Sequence, residues 1–311
     1  MNNTALYLIT VLIWGSTWIA INFQLGDVAP EASIAYRFGL AAIVLFVYCW
    51  FRKLPLNMSR SQHIWLACFG MSLFGFNYFM LYHAQQNINS ALACIAFSTL
   101  LFFNIINARI WYKTPISMQV LIGGAMGLIG IVILFWPEVN TLSLTDTTIY
   151  GLALCLIGTM SASTGNMISI RNQKNTMPVV QSNAWGMFYG AIFMTIVALV
   201  QGKSFTFAWT LPYVSSLLFL SIFGSVIAFG CYLSLMTKIG SHKTSYANIL
   251  FPAVAVAIST MFEGFEWHSY TVVGFVAIML GNFVLLSKPK KQESNGEKRV
   301  ASESRGLKEA A

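Results

Sequence analysis

Arg37 is the one cation set well inside an apolar run, about two turns from that run's end. Inserting a guanidinium there costs on the order of 2.5–3.5 kcal/mol, less near the interface, so something must offset it. Two offsets are open. The guanidinium fork can attract a carboxylate or phosphate of a substrate, for which its planar geometry is suited. Alternatively the side chain snorkels outward, or bonds carbonyls and Glu31 of its own or a neighbouring helix. Other polar and aromatic groups also sit inside apolar runs: Trp14, Thr17 and Trp18; Asn77, Tyr78 and Tyr82; Ser98, Thr99 and Asn104. Further along come Ser161, Thr164 and Asn166, then Trp185, Tyr232, Tyr246 and Asn248. A small-molecule pocket needs apolar walls with a few placed polar groups, and such residues supply both. Each also has a plainer reading as an interhelical hydrogen bond worth about 0.6 kcal/mol.

Trp14 and Trp18 are four apart and share one helix face. Both lie at mid-run, too deep for the interfacial belt where indoles anchor. That leaves cavity wall or interhelical packing. Enzymatic chemistry has little support: there is no HExxH, no paired intramembrane acid and no deep Ser/His pairing. The five cysteines stand singly without ligand spacing, so neither a metal nor a cofactor is expected. The four histidines lie at the ends of runs. Of these, His83 beside Tyr82 is the best relay candidate, though such a pair also serves as an interfacial anchor. No Asp or Glu falls in the middle of a run, with Glu31, Glu263 and Glu266 at ends, so exchange or facilitated flux is expected over strong proton coupling.

The elements that would position these groups are membrane spans. The chain is 57% hydrophobic and 9% charged, against roughly 45–50% and about 25% in a soluble domain. Runs long enough to cross a bilayer fall at 4–24, 31–51, 63–83, 89–111, 118–136, 148–170, 179–201, 212–234, 244–264 and 270–287. The segment 288–311 is polar and basic and is expected to be a disordered cytoplasmic tail. Alternate loops carry the cations: Arg52, Lys53, Arg60, Arg109, Lys113, Arg171, Lys174, Lys238 and Lys243 on one side, against Lys203 alone on the other. This asymmetry predicts both termini in the cytoplasm. The net charge of +8 is therefore a topology signal and implies no nucleic-acid partner. The start, MNNTALY, lacks a basic n-region, and the first span is expected to be retained.

Shifted by about 150 residues, the chain matches itself weakly but persistently. Ser16-Thr17 falls on Ser163-Thr164, Pro30 on Pro178, Tyr82 on Tyr232, Ser90 on Ser241 and Gly123 on Gly274. The same mapping places Trp14 on Ser161, Trp18 on Gly165 and Arg37 opposite Trp185. Five spans per unit is an odd number, so the halves enter the membrane from opposite sides. Inverted repeats are a transporter signature, with the substrate held near the midplane between them. The expected fold is all-α and integral to the membrane, with ten transmembrane helices as two inverted five-helix repeats, 1–140 and 141–287. Glycines Gly123/Gly127 and Gly186/Gly190, and Gly151, Gly158 and Gly165 at seven-residue intervals, predict close helix packing.

The segments IWGSTW, YRFGLAA, NINSALACIAFSTLLF, KIGSHKTSYANILFPAVAVA and GFEW together resemble the EamA family of the drug/metabolite transporter superfamily, across residues 5–287. The resemblance implies ten helices in two inverted halves, with a central cavity lined mainly by helices one, three, four, six, eight and nine. It also implies a bacterial inner-membrane exporter of amino acids or related small amphipathic metabolites. Two departures from the family pattern stand in the first half. Leu101 lies near a position often held by proline, as Pro252 holds it in the second half, and Lys113 to Pro115 replace an acid matched by Glu266. The ninth helix is therefore expected to be the more bent. Nothing points to an enzyme, and the expected partners are a small-molecule substrate and the lipid bilayer. A monomer is compatible with the sequence, which defines no oligomeric state. A carrier of another metabolite or drug class, or a membrane sensor without flux, are the alternatives. A phosphate-metabolite carrier would want more cations than Arg37, and a polycation exporter would want cavity acids.

Overall fold

In a bilayer every backbone N–H and C=O must find a partner within the protein, which leaves apolar segments of this length little choice but helix. The computed structural model describes residues 2–88, 90–140, 145–262 and 267–286, without the side chains at 18–19, 90–91, 138, 255–262 and 286. Its elements are helical, with no strand among the described residues. We label them α1 (Asn3–Asn22), α2 (Pro30–Phe51), α3 (Arg60–Gln85), α4 (Ser90–Ser98 and Leu100–Tyr112), α5 (Met118–Leu134) and α6 (Asp146–Lys174). There follow α7 (Val179–Val200), α8 (Leu211–Ile239), α9 (Ser241–Ser245 and Ala247–Phe262) and α10 (Ser269–Leu286). By length and composition α2, α3, α4, α6, α7 and α8 can each cross a membrane, and α5 and α10 are shorter apolar helices. The expected tail, 288–311, lies outside the described residues.

Helix starts follow local chemistry. Asn2 caps α1 through its side chain, Pro30 opens α2, and Ser59 and Gln62 form a capping box on α3. The helices then pair in a reciprocal pattern. α2 lies against α7 and α5 against α10, while α1 packs on α8 and α9 as α6 packs on α3 and α4. The α5–α10 pair is stitched by small residues. A methyl group built on Gly123 would stand 2.8 Å from the Gly281 carbonyl, and one on Gly130 2.9 Å from that of Gly274. The repeat spacing exchanges these two contacts. The stripe Gly151, Gly158 and Gly165 receives Ile88, Met80 and Leu73, so it is the seam between α6 and the chain from α3 onward.

Two features depart from the sequence expectation. The ninth helix was expected to be the more bent; both α4 and α9 are interrupted, at Thr99 and Tyr246. No proline is needed at Thr99, because its hydroxyl bonds back to the Ala96 carbonyl at 2.6 Å and competes with the helical ladder. In addition α3 and α8 each contain a π-helical stretch, Met71–Phe76 and Leu220–Ile227, at corresponding places in the two halves.

Gly70 meets the Gly186 carbonyl directly, with no room for a methyl group. Gly70→Ala is expected to lower stability by about 1–3 kcal/mol through overpacking of α3 on α7. Gly230→Ala meets nothing within 4 Å and should be neutral or stabilising by up to about 1 kcal/mol. Thermal unfolding of the two purified variants in one detergent checks the contrast.

Candidate functional site

The π-helical stretches decide where the polar groups point. Widening the turn to an i→i+5 bond frees carbonyl groups from the α-helical ladder. In α8 the Ser225 hydroxyl donates to the Leu220 carbonyl five residues back (2.9 Å) and accepts from Arg37 Nε (3.1 Å). The adjacent Gly224 carbonyl accepts Trp14 Nε1 at 2.9 Å. One distorted turn thus holds both the cation of α2 and the indole of α1. The equivalent stretch of α3 offers the Ser72 carbonyl to Ser161 Oγ at 2.9 Å. Ser161 is the residue onto which the repeat maps Trp14, so the two halves use one bonding scheme with different side chains.

Around these anchors lies a cavity of about 50 Å³, room for roughly three to five waters. Its walls come from α1, α2, α3, α4, α6, α8 and α9. Eight of the residues singled out in the sequence line it: Trp14, Thr17, Arg37, Asn77, Tyr78, Asn166, Tyr232 and Asn248. The Trp14 indole packs edge-on to Phe229 (4.7 Å) and Phe251 (5.4 Å) and tilts against Tyr232 (4.8 Å). Edge-to-face contacts of this kind contribute about 0.5–1.5 kcal/mol beyond burial and fix ring orientation.

Arg37 is 1% exposed, so it does not snorkel. Nor does it bond Glu31. Its guanidinium lies over the Tyr78 ring at 4.6 Å and the Phe38 ring at 5.2 Å, while NH1 has no hydrogen-bond partner. Glu31 is itself fully buried at the first turn of α2 and pairs instead with His83 Nε2, 2.9 Å away. His83 Nδ1 faces Gln86 Oε1 at 3.2 Å, so the ring is bound on both sides. The pair ties α2 to α3 and removes the nearest carboxylate from Arg37.

Deeper in the bundle a polar network links the halves. Asn104 Nδ2 donates to Ser245 Oγ, and Asn166 Nδ2 reaches Asn104 Oδ1 (3.4 Å) and the Tyr232 hydroxyl (3.5 Å). Asn77 Nδ2 donates to the Leu73 carbonyl and Asn248 Nδ2 to the Ser245 carbonyl. With their N–H groups committed, Asn77, Asn166 and Asn248 each keep an Oδ1 without a donor.

Five expected site residues are not brought to the cavity wall. Ser98 bonds back to the Cys94 carbonyl, and Ser161 is held by the α3 π-helical turn. Tyr82 is buried behind Tyr78, with ring centroids 6.4 Å apart. Tyr246 points away between Gly127 and Gly281 and donates to the Ile278 carbonyl at 3.0 Å. Trp185 lies at the far end of α2, donating to the Leu56 carbonyl and packing on Phe46 and His63. The Trp18 side chain is outside the described residues.

Sequence reasoning also missed part of the wall. Phe97, Phe229, Phe251, Leu73 and Leu81 line the cavity, but apolar side chains in apolar runs carry no distinguishing signal. The irregular stretches did leave a signal: SLFG at 72–75 and SIFG at 221–224 recur at the repeat spacing, and both fall in π-helical stretches.

The family profile of the EamA-like transporter family matches the chain twice, over residues 4–136 and 149–287. The chain therefore belongs to the EamA-like transporter family. It is similar to the protein PagO of Salmonella typhimurium strain LT2, with 20% identity over 90% of this chain and 91% of that one. It is 28% identical to the uncharacterized inner membrane transporter YedA of Escherichia coli K12, over 89% and 90% of the two chains. The uncharacterized transporter YoaV of Bacillus subtilis strain 168 is 23% identical over 79% of this chain and 83% of its own. A solved crystal structure shares the fold with a TM-score of 0.77 at 15% identity, covering 91% of this chain and 96% of the other. With its apolar helices, the protein is a multi-pass protein of the inner membrane.

Removing the Ser225 hydroxyl leaves a buried charged donor without its acceptor. Ser225→Ala is expected to cost about 1.5–3 kcal/mol in thermal unfolding. Trp14→Phe, which loses one neutral bond to Gly224, should cost about 0.5–1.5 kcal/mol.

Proposed function

We propose that the protein is a secondary transporter that exports amino acids or related small amphipathic metabolites across the inner membrane by alternating access. The observation that carries this reading is the aromatic-walled cavity between the two halves, with Arg37 at its wall and an unbonded guanidinium nitrogen. A midplane site at the interface of inverted repeats is where such carriers bind substrate. Three observations support ten spans in two inverted units, 1–140 and 141–287: the double family match, the reciprocal helix pairing and the paired π-helical stretches. The loop charges support cytoplasmic termini.

In this reading Trp14, Tyr78, Asn77, Asn166, Tyr232 and Asn248 contact the substrate, and Thr17 completes the wall. Tyr82 and Trp18 remain proposed contributors beside it. Trp185, Ser98, Ser161 and Tyr246 act through packing. At 50 Å³ the cavity is smaller than a metabolite, so loading requires helix movement, and the interruptions at Thr99 and Tyr246 and the π-helical turns are where the helices can yield. Glu31, the buried carboxylate nearest Arg37, is committed to His83. We therefore retain exchange or facilitated flux as the mode of energisation.

Metabolite profiling of medium from overproducing cells tests the proposal. Wild-type protein should raise one class of amphipathic metabolite several-fold outside the cell, and Trp14→Ala at equal membrane abundance should abolish the rise. An unchanged exometabolome, with no ligand-dependent thermal stabilisation, would favour the sensor reading.

A further inference from the structure

Arg37 is the one charged side chain among the described residues that line the cavity. No acid faces it there. Glu31, earlier on the same helix, bonds His83 through Oε1 at 2.9 Å, and Arg37 has a neutral hydroxyl on Nε, two ring faces and the nearby Tyr82 side chain as its surroundings. The described cavity wall therefore holds one cation and no acid, and one guanidinium nitrogen, NH1, has no hydrogen-bond partner. A ligand that leaves this charge uncompensated, or adds to it, must bear the desolvation cost of a buried cation.

The rest of the wall sets a second condition. Asn77, Asn166 and Asn248 line the cavity, and each has a buried Oδ1 that lacks a donor. Amide oxygens accept from neutral N–H or O–H groups, which enter the site without the desolvation penalty and the repulsion from Arg37 that offset the stronger bond an ammonium would make. The remainder is Trp14, Phe97, Phe229, Phe251 and the Tyr78 ring. From these three facts we infer that the cavity selects monoanionic amphipathic acids, an apolar or aromatic body with one carboxylate and a neutral N–H or O–H donor, over zwitterions or cations of the same body. This rests on the proposed transport site and narrows its substrate class to acylated or otherwise amine-neutralised amino acids and related acids.

A matched ligand series separates charge from shape. Purified full-length protein in detergent at pH 7 is titrated with N-acetyl-phenylalanine, 3-phenylpropionate, phenylalanine and 2-phenylethylamine, with binding read by calorimetry and thermal shift. N-acetyl-phenylalanine should bind at least tenfold tighter than phenylalanine. 3-Phenylpropionate, lacking the N–H donor, should lie between them, and the amine should be weakest. Arg37→Gln should erase the preference for the anions. If that variant fails to fold, Asn77→Asp serves instead: a carboxylate in the cavity should shift the order toward phenylalanine. Phenylalanine binding as tightly as the acids in the wild type, or an order unmoved by both substitutions, overturns the inference while leaving the transport site intact. If no member of the series binds, the site reading falls and this inference with it.

Discussion

A single positive charge held away from water organises the middle of this protein. Arg37 is too deep to reach solvent and has no acidic partner, so its neighbours must carry the cost that an isolated buried guanidinium imposes. They do so with a hydroxyl on Nε, two aromatic faces beside the guanidinium, and a place in the wall of the cavity, with NH1 left without a hydrogen-bond partner. The hydroxyl exists at that place because α8 abandons α-helical geometry between Leu220 and Ile227. The same distortion fixes Trp14 by releasing the Gly224 carbonyl. Cation, aromatic wall and helix irregularity are thus one construction, and a regular α8 would dismantle all three.

The two-fold plan explains why the site is asymmetric without being irregular. Both halves place a π-helical stretch in the third helix of the unit and use it to receive a side chain from the first helix of the other unit. In one half that side chain is an indole; in the other it is a serine. The shared backbone geometry keeps the architecture reciprocal while the side chains make the pocket one-sided. A cavity with a cation on one wall and amide oxygens on others can orient a guest, which a strictly symmetric site cannot.

Much of this was legible in the sequence, and the failures have physical causes. Apolar run length gave helix positions, because lipid leaves the backbone no alternative, and the glycine spacings named the tight crossings correctly. Arg37, Trp14 and the asparagines stood out because polar groups in apolar runs are costly and must be placed. Pure apolar walls such as Phe229 and Phe251 could not stand out, since in a membrane helix they look like lipid-facing residues. Glu31, one of several partners the sequence left open for Arg37, is given by the fold to His83 from α3. Tyr246 and Trp185 were misplaced because a span's polar residues need not share one face, and helix rotation is set by the glycine seams.

Docking of a carboxylate against Arg37 is the central requirement of this site. The direct measurement is the structure of the full chain with a bromine-labelled aryl carboxylate, located by its anomalous signal. A bromine peak is expected among Trp14, Phe229 and Phe251, with the carboxylate within hydrogen-bond distance of the Arg37 guanidinium and the Glu31–His83 pair intact. A peak outside the cavity, or an Arg37 re-paired with Glu31 while the ligand binds elsewhere, would contradict it.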